Sequence, residues 1–238
     1  MPSTGTSKAT GDGIIMAREI GADIWNLDHC KSNNLAYILE DGTGVSLTAL
    51  KNYIALVNHD GKRFVNEGHS SNNYKSIETI KQENSEAYAI FDQTAIDKLK
   101  LISDYNAQGY FYSADTLEEL ADLIDVNKEN FLNTMEDYRA YAAAGEDKEF
   151  GRKITDSLEE PKFYAALVTP SMQTTHGGVK TDDSARVIST ERTVIPGLYA
   201  AGSVSGHNTG TLETGGASMV TLVFGQIAGE TAVADLNK

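Results

Sequence analysis

Glycine-containing motifs in the last third of the chain carry the strongest chemical signal in the sequence. Residues 174–179 read Thr-Thr-His-Gly-Gly-Val. Two successive glycines have no side chains, so the backbone can approach a planar ligand closely. The same residues also suit a tight turn without a ligand. His176 is the best candidate for a group that polarises a bond or transfers a proton, because its ordinary pKa lies near ~6.5. The alternative is a structural histidine in a turn.

Two further motifs follow. Residues 195–202, Ile-Pro-Gly-Leu-Tyr-Ala-Ala-Gly, predict a buried strand ending in small residues, which leave room for a cofactor in an α/β sheet. Residues 214–219, Thr-Gly-Gly-Ala-Ser-Met, lead into the last helix, whose free N–H groups and partial positive charge suit an electron-rich ligand atom. Close packing and an ordinary helix start are the respective alternatives. The order and spacing of the three motifs are more specific than any one of them.

The run from Thr174 to Glu230 resembles the C-terminal flavin-binding segment of the fumarate reductase/succinate dehydrogenase flavoprotein family, which includes urocanate reductase-like enzymes. Residues 9–13, Ala-Thr-Gly-Asp-Gly, resemble the start of a helix beside the FAD in that family. Residues 57–67 resemble a hairpin of its capping domain, and residues 114–120 and 150–152 resemble later capping-domain motifs. The similarity covers nearly the whole chain.

The resemblance implies that the cofactor is FAD. Asp12 would lie at the FAD, and Ser218 and Met219 would offer groups to the flavin ring. The family's usual glutamate after Ala-Ala-Gly is Ser203 here, which forms hydrogen bonds but carries no charge. The implied cofactor-binding residues are Asp12, Gly177, Gly178, Gly202, Ser203, Gly215, Gly216, Ser218 and Met219.

The family's first nucleotide-binding motif is missing from this sequence. Flavoproteins of this kind hold the FAD pyrophosphate with a strand, a G-x-G-x-x-G turn and a helix. Residues 11–13 supply only Gly-Asp-Gly, and they already match a later element of the family. The chain therefore begins well inside the family pattern. We expect a truncated sequence, a split gene or a second chain that supplies the missing segment.

The residues that bind a dicarboxylate in fumarate and succinate enzymes are also replaced. The capping hairpin is followed by residues 66–74, Asn-Glu-Gly-His-Ser-Ser-Asn-Asn-Tyr, which contain no arginine to act as proton donor. Glu213 aligns with a carboxylate-binding arginine, and Gln173 aligns with a carboxylate-binding histidine. A second such histidine aligns near Asn33. Arginine binds carboxylates with two hydrogen bonds, whereas glutamate repels them. We therefore predict that fumarate is not the substrate.

Other residues are candidates for the chemistry on the substrate side. His69 and Tyr74 lie where the capping-side arginine is missing, and Tyr74 is a candidate proton donor, with simple packing as the alternative. Gln173, His207 and Glu213 are the candidate substrate residues. Glu213 could accept hydrogen bonds from an amine or hydroxyl, or be a solvated loop charge.

Composition excludes several classes of function. The 34 acidic and 20 basic residues give a net charge of −14, which disfavours nucleic acid and anionic membrane surfaces. One cysteine cannot form an intrachain disulfide, and the five histidines show no metal-binding spacing. A small-molecule substrate is expected instead. No apolar run approaches the ~20 residues of a membrane span, and the N-terminus shows no signal sequence, so the expected location is cytoplasmic.

The elements that position these residues are of mixed type. The pattern predicts an α/β (α+β) fold, with 1–34 as a partial FAD-binding domain, 35–160 as the capping domain and 161–238 as the C-terminal part of the FAD-binding domain. The first and third pieces would form one discontinuous domain. Residues 59–62, His-Asp-Gly-Lys, predict a hairpin turn. A helix is predicted from about 216 to 236.

Together these features predict an FAD-dependent oxidoreductase that acts on CH–CH groups by hydride transfer through flavin N5. The capping segment would close over the substrate and exclude water. The alternative is a non-catalytic truncated remnant, or a subunit, of such a flavoprotein.

Overall fold

A computed structural model of the protein describes residues 2–5, 8–206 and 217–237. The helices are α1 (Asp12–Glu19), α2 (Asn72–Ile80), α3 (Gln93–Lys98), α4 (Lys100–Ala107), α5 (Leu117–Leu123), α6 (Lys128–Ala144) and α7 (Ala217–Leu236). The strands are β1 (Ile24–Trp25), β2 (Cys30–Ile38), β3 (Gly44–Ser46), β4 (Ala55–Val57), β5 (Ala87–Asp92), β6 (Tyr112–Ala114), β7 (Phe163–Thr175), β8 (Gly178–Val179), β9 (Arg186–Ile188) and β10 (Val194–Tyr199). This mixed content confirms the predicted fold class.

The chain forms two compact units. Unit 1 comprises Met1–Thr4 and Ser32–Ser171, and unit 2 comprises Gly5–Lys31 and Met172–Lys238. Residues 1–4, 32–34 and 161–171, predicted to lie outside the capping domain, group with the middle of the chain. The first six residues of β7 pair with β5, and β2, which contains residues 32–34, lies beside β7 in the same sheet.

The sheet of unit 1 has strand order β3-β2-β7-β5-β4, and β6 also pairs with β7. All six residues of β5 are buried, and alternate residues point to opposite faces. Phe91 joins a cluster with Tyr164 on one face, whereas Ile90 joins a cluster with Phe131 on the other. The sheet is therefore covered by apolar residues on both faces.

The hairpin after β4 forms as the sequence predicts. The Asn58 N–H donates to the carbonyl oxygen of Lys62 at 2.9 Å, and Gly61 has φ +76°. A Cβ atom at Gly61 would lie 2.7 Å from the carbonyl oxygen of Asn127 and from the nitrogen of Phe131. Glycine is required here both for its backbone conformation and for the close approach of α6.

A buried cluster of ion pairs ties this hairpin to the loop after α6. Arg63 donates to both carboxylate oxygens of Glu67, at 2.9 and 2.8 Å, and also to Asp147 at 2.8 Å. Arg152 donates to Glu67 at 3.1 Å. All four side chains are almost completely buried. Two positive and two negative charges compensate one another, which is the condition under which charges can be buried.

Unit 2 contains the short pairs β1–β8 and β9–β10, with α1 and α7. Its small core includes Ala17, Ala22, Val179, Val187 and Ala200. By length and composition alone, the segment Met219–Leu236 of α7 could cross a membrane, although no such segment was predicted. This segment is nevertheless tied to the protein, because Asp235 accepts hydrogen bonds from Arg186 and from the hydroxyl group of Tyr199.

Removing one charge from the buried cluster should be costly. Burial alone would raise the pKa of Asp147, but hydrogen bonds from Arg63 and from backbone N–H groups lower it below the usual value. Its contribution is therefore present at neutral pH and is lost as pH falls through the folded-state pKa. Asp147→Asn should lower the free energy of unfolding by about 3 kcal/mol at pH 7 and weaken its dependence on acid pH.

Chemical denaturation at several pH values measures both effects. Asp122→Asn is the control, since Asp122 forms an exposed pair with Lys128 and should change stability by less than about 1 kcal/mol. Equal effects of the two substitutions would contradict the stabilising role of the cluster.

Candidate functional site

Among the described residues of unit 2, His176 alone has two buried side-chain nitrogens without a hydrogen-bond partner. Its backbone N–H donates to the carbonyl oxygen of His29 at 3.0 Å, which fixes the backbone. The residue is 7% exposed, and neither ring nitrogen has a hydrogen-bond partner among the described residues. Buried polar groups are almost always paired, and an unpaired one is costly. This arrangement points to a hydrogen-bonding group from outside the described chain.

The surroundings of His176 keep its ring neutral. Burial lowers the pKa of His176 below its ordinary value, and electrostatic repulsion from Lys31 and His29 lowers it further. A neutral imidazole has one N–H donor and one nitrogen acceptor. The ring can therefore donate one hydrogen bond and accept another at neutral pH.

The glycine pair that follows is required by contact between backbones. A Cβ atom at Gly177 would overlap the peptide group joining Asn26 and Leu27, and one at Gly178 would overlap the carbonyl group of Val204. The glycines thus fit β8 tightly between two neighbouring segments of unit 2. The space left by their missing side chains is filled by the protein itself. This packing accounts for both glycines, and contact between their backbone and a cofactor stays a prediction.

Trp25 lies beside the glycine pair and was not singled out from the sequence. It is opposite Gly178 in the β1–β8 ladder, and a Cβ atom at Gly206 would overlap its ring. Its indole N–H is buried without a partner in the described part of the chain. Lys180 lies over the ring at 5.6 Å and pairs with Asp23 at 3.0 Å. A sequence signal existed, since this is the only tryptophan and it follows the early Gly-Ala-Asp motif.

The other predicted cofactor residues of unit 2 lie on its surface elements. Asp12 begins α1, is exposed, and accepts a hydrogen bond from the Thr10 hydroxyl group at 2.8 Å. Gly202 begins a short 3-10 helix, Gly202–Val204, with φ +77°, and Ser203 is exposed. The side chain of Met219 is exposed near the start of α7. Their roles toward FAD stay predictions.

Several predicted residues lie outside the described part of the structure. They are His207, Glu213, Gly215 and Gly216, together with the side chain of Ser218. Gln173 is described and is exposed near the end of β7.

The capping-side candidates lie together in unit 1. The rings of His69 and Tyr74 have centroids 4.6 Å apart. The backbone N–H of Ser71 donates to His69 Nδ1 at 3.0 Å, so the proton of a neutral His69 ring is on Nε2. Ser71 also caps α2, because its Oγ atom accepts from the Tyr74 N–H. Both rings are exposed, as groups that meet a substrate must be.

Asn33 lies near the position where the family has a histidine, and its amide group already forms hydrogen bonds within the protein. Its Nδ2 atom donates to the hydroxyl group of Ser46 at 2.9 Å, and its Oδ1 atom accepts from the Leu35 N–H at 3.0 Å. The side chain is fully buried. These hydrogen bonds support β2 and the adjoining β3, so the residue serves the fold of unit 1.

Comparison with known proteins identifies the family. The model of the FAD binding domain family matches residues 2–219. The chain belongs to this FAD-binding family. The resemblance to fumarate reductase and urocanate reductase flavoproteins is thereby confirmed.

The chain is 33% identical over 240 residues to the probable fumarate reductase Ifc3 of Shewanella frigidimarina, covering 98% of this chain and 40% of that protein. The open conformation of a flavocytochrome c3 fumarate reductase has a TM-score of 0.77 at 33% identity, over 99% of this chain and 42% of that one. A 3-ketosteroid delta1-dehydrogenase from Sterolibacterium denitrificans has a TM-score of 0.76 at 25% identity, over 98% of this chain and 48% of that one. The chain thus spans less than half the length of each.

The described residues fit one end of an FAD molecule. A flavin ring carries carbonyl oxygens and ring nitrogens at its edge, and the unpaired nitrogens of His176 and the unpaired N–H of Trp25 are suitable partners for such groups. The sequence offers no glycine-rich phosphate turn for the other end. The fit therefore concerns the ring end of FAD.

Adding one methyl group to the glycine pair should disrupt unit 2. Gly177→Ala should lower the free energy of unfolding by about 3 kcal/mol, because the new Cβ atom overlaps backbone that cannot move aside. Gly229→Ala in α7 is the control, since its Cβ atom meets open space and should stabilise the helix by about 1 kcal/mol. Urea denaturation followed by circular dichroism measures both. A neutral Gly177→Ala would contradict the packing described.

The His176 ring should titrate below the ordinary histidine value of ~6.5. Because the unfolded state binds the proton more readily, His176 should reduce stability as pH falls below ~6.5. Lys31→Met should raise the midpoint of the His176 titration, because it removes a nearby positive charge. Lys51→Met, in unit 1, should leave that midpoint unchanged. Long-range ¹H–¹⁵N NMR of the ring measures the midpoint, and a value above ~6.5 would contradict the burial.

Proposed function

We propose that this chain forms the ring-binding and capping parts of an FAD-dependent oxidoreductase that acts on a carbon–carbon bond. The observation that carries the proposal is the buried His176, whose two ring nitrogens are unpaired beside a glycine pair that the family resemblance assigns to the flavin. Bound FAD supplies the hydride chemistry, at N5 of the flavin ring. The chain's own residues bind, orient and transfer protons.

His176 acts as a neutral hydrogen-bond donor. Its lowered pKa leaves little imidazolium at neutral pH, so it is a poor source of a full proton. A neutral N–H can still polarise a carbonyl group, and burial makes that hydrogen bond stronger than it would be in water. Of the two roles predicted for His176, polarising a bond therefore suits the neutral ring better than transferring a proton.

Tyr74 supplies the proton on the capping side, and His69 positions it. The phenol group is exposed and packed against the His69 ring, which is itself oriented by the backbone of Ser71. Residues 66–74 offer no arginine for this role. Tyrosine is among the side chains that act as general acids in enzymes.

The proposed substrate is a small molecule other than fumarate. Asn33 uses its amide group within unit 1, Gln173 is uncharged, and Glu213 would repel a carboxylate. A substrate with one polar group that accepts a hydrogen bond, conjugated to the reacting carbon–carbon bond, suits the neutral donors better. The cytoplasmic location also stays a prediction.

Flavin reoxidation tests this function. The chain is incubated with FAD, desalted, reduced with light and mixed with fumarate, acrylate or a cyclic enone, while flavin absorbance is followed. We expect the enone to reoxidise the flavin and fumarate to have no effect. Tyr74→Phe and His176→Phe should each slow reoxidation by about 10²-fold or more. Tyr112→Phe, an exposed tyrosine of β6, should leave the rate unchanged.

Two results would contradict the proposal. If fumarate reoxidised the flavin as fast as the enone does, the proposal that the substrate is not fumarate would be wrong. A flavin-loaded protein that reacts with none of the three compounds would favour the alternative of a non-catalytic remnant or subunit.

A further inference from the structure

Unit 1 contains a polar cavity that none of the residues proposed for the flavin chemistry lines. Its volume is about 420 Å³, which is within the range of small-molecule sites. Residues of α6, of the hairpin turn at Lys62 and of the loop at Lys148 line it. Ligand sites are usually mainly apolar, with a few polar groups. A polar lining of this extent therefore suits a ligand that is itself rich in hydrogen-bonding groups.

The deepest residue of the cavity lining is Arg63, whose side chain is only 1% exposed. Its guanidinium group has five N–H donors, and four hydrogen bonds join it to Glu67 and Asp147. The Oε2 atom of Glu149 lies 3.7 Å from Nη1 of Arg63, which is longer than a hydrogen bond. The remaining N–H of Nη1 therefore has no acceptor at hydrogen-bond distance among the described residues. Buried donors are rarely left in this condition.

The gap between Arg63 and Glu149 suits a hydroxyl group. A hydroxyl oxygen accepts a hydrogen bond from Nη1 and at the same time donates one to the carboxylate. An anionic ligand group would pair with Arg63 but would be repelled by Glu149. An ammonium group would pair with Glu149 but would be repelled by Arg63. A neutral group that both donates and accepts meets both requirements.

Helix α6 supplies one wall of the cavity. Asn130, Asn133, Thr134 and Asp137 follow one another at helical spacing, so they share one face of the helix. The side chains of Asn130, Asn133 and Thr134 form no hydrogen bond with any described residue. Tyr141, one turn after Asp137, also lines the cavity and is half-buried. The wall thus combines amide and hydroxyl groups with an aromatic ring, against which C–H groups can pack.

The charges around the cavity are balanced. Lys62 and Lys148 are positive, whereas Asp137 and Glu149 are negative. The charge of Arg63 is compensated within the buried cluster. Opposite charges at similar distances largely cancel, so the lining gives an ion of either sign little advantage. This balance favours a neutral ligand, as the gap beside Glu149 does.

We propose that this cavity binds a small neutral polyol of the size of a monosaccharide. One hydroxyl group of the ligand bridges Arg63 and Glu149. Neighbouring hydroxyl groups form hydrogen bonds with the amide groups of Asn130 and Asn133, and the C–H face of the ligand packs on Tyr141. The site lies within unit 1 and needs no bound FAD, so it does not depend on the proposed function.

Glucose is the probe, added to the full chain while ¹H–¹⁵N NMR spectra of the backbone and the arginine side chains are recorded. We expect saturable shifts at α6, at Glu149 and at the Arg63 side chain, with a dissociation constant of about 1 mM. Asn130→Leu should weaken glucose binding at least tenfold, because leucine removes the amide group and occupies part of the cavity. Asn133→Leu, at an exposed position, should do the same without disturbing the core.

Asn106→Leu in α4 is the matched control. Asn106 is half-buried like Asn130, and its side chain likewise forms no hydrogen bond with a described residue. Glucose affinity should therefore stay unchanged in this variant. Shifts that are absent or do not saturate would overturn the proposal and leave the cavity to water. Equal weakening by Asn106→Leu and Asn130→Leu would overturn it, and so would tighter binding of glycine or inorganic phosphate than of glucose.

Discussion

Backbone contact at Gly177 and Gly178 is the constraint on which the rest of unit 2 depends. The two residues lie so close to the segments at Asn26 and Val204 that no side chain fits. This contact fixes β8 between β1 and the segment after β10, and so it fixes the residue that precedes β8. His176 is thereby held in a buried position that a flexible turn could not maintain. The packing around His176 offsets the unfavourable free energy of burying its unpaired ring.

Both units bury polar side chains, and unit 1 buries charged ones as well. Unit 1 buries four charges, and each has partners within hydrogen-bonding distance, although Asn34, His59, Asn66 and Ser76 each have one buried polar atom without a partner among the described residues. Unit 2 leaves the nitrogens of His176 and Trp25 without partners in the described chain. A complete network stabilises a fold, whereas an incomplete one is typical of a site that receives a ligand.

Local signals in the sequence predicted the local structure well. The Asp-Gly turn before Arg63 formed as expected, because short-range geometry decides it. The domain boundaries were less accurate, since β7 belongs to a sheet whose partner strands lie far away in the sequence. The glycine pair was recognised, but its contact with Asn26 joins residues about 150 positions apart, and no local pattern reveals such a contact.

The same limit explains why the neighbours of the glycine pair were missed. Nothing near Trp25 in the sequence shows that its ring will lie on Gly206. The ion pair of Arg63 with Asp147 likewise joins residues far apart in the sequence. Only the ion pair of Arg63 with Glu67, four residues later, had a local clue in the spacing of the two residues. The resemblance to a known family supplied the cofactor, which no single motif specified.

The position of Trp25 has a practical consequence. It is the only tryptophan in the chain and belongs to unit 2. Its ring lies against Gly206, and Lys180 lies over it. Its fluorescence emission therefore reports the state of unit 2 alone, while the eleven tyrosines include many in unit 1. An indole in contact with Lys180 and near the glycine pair gives an optical signal for this part of the molecule without any added dye.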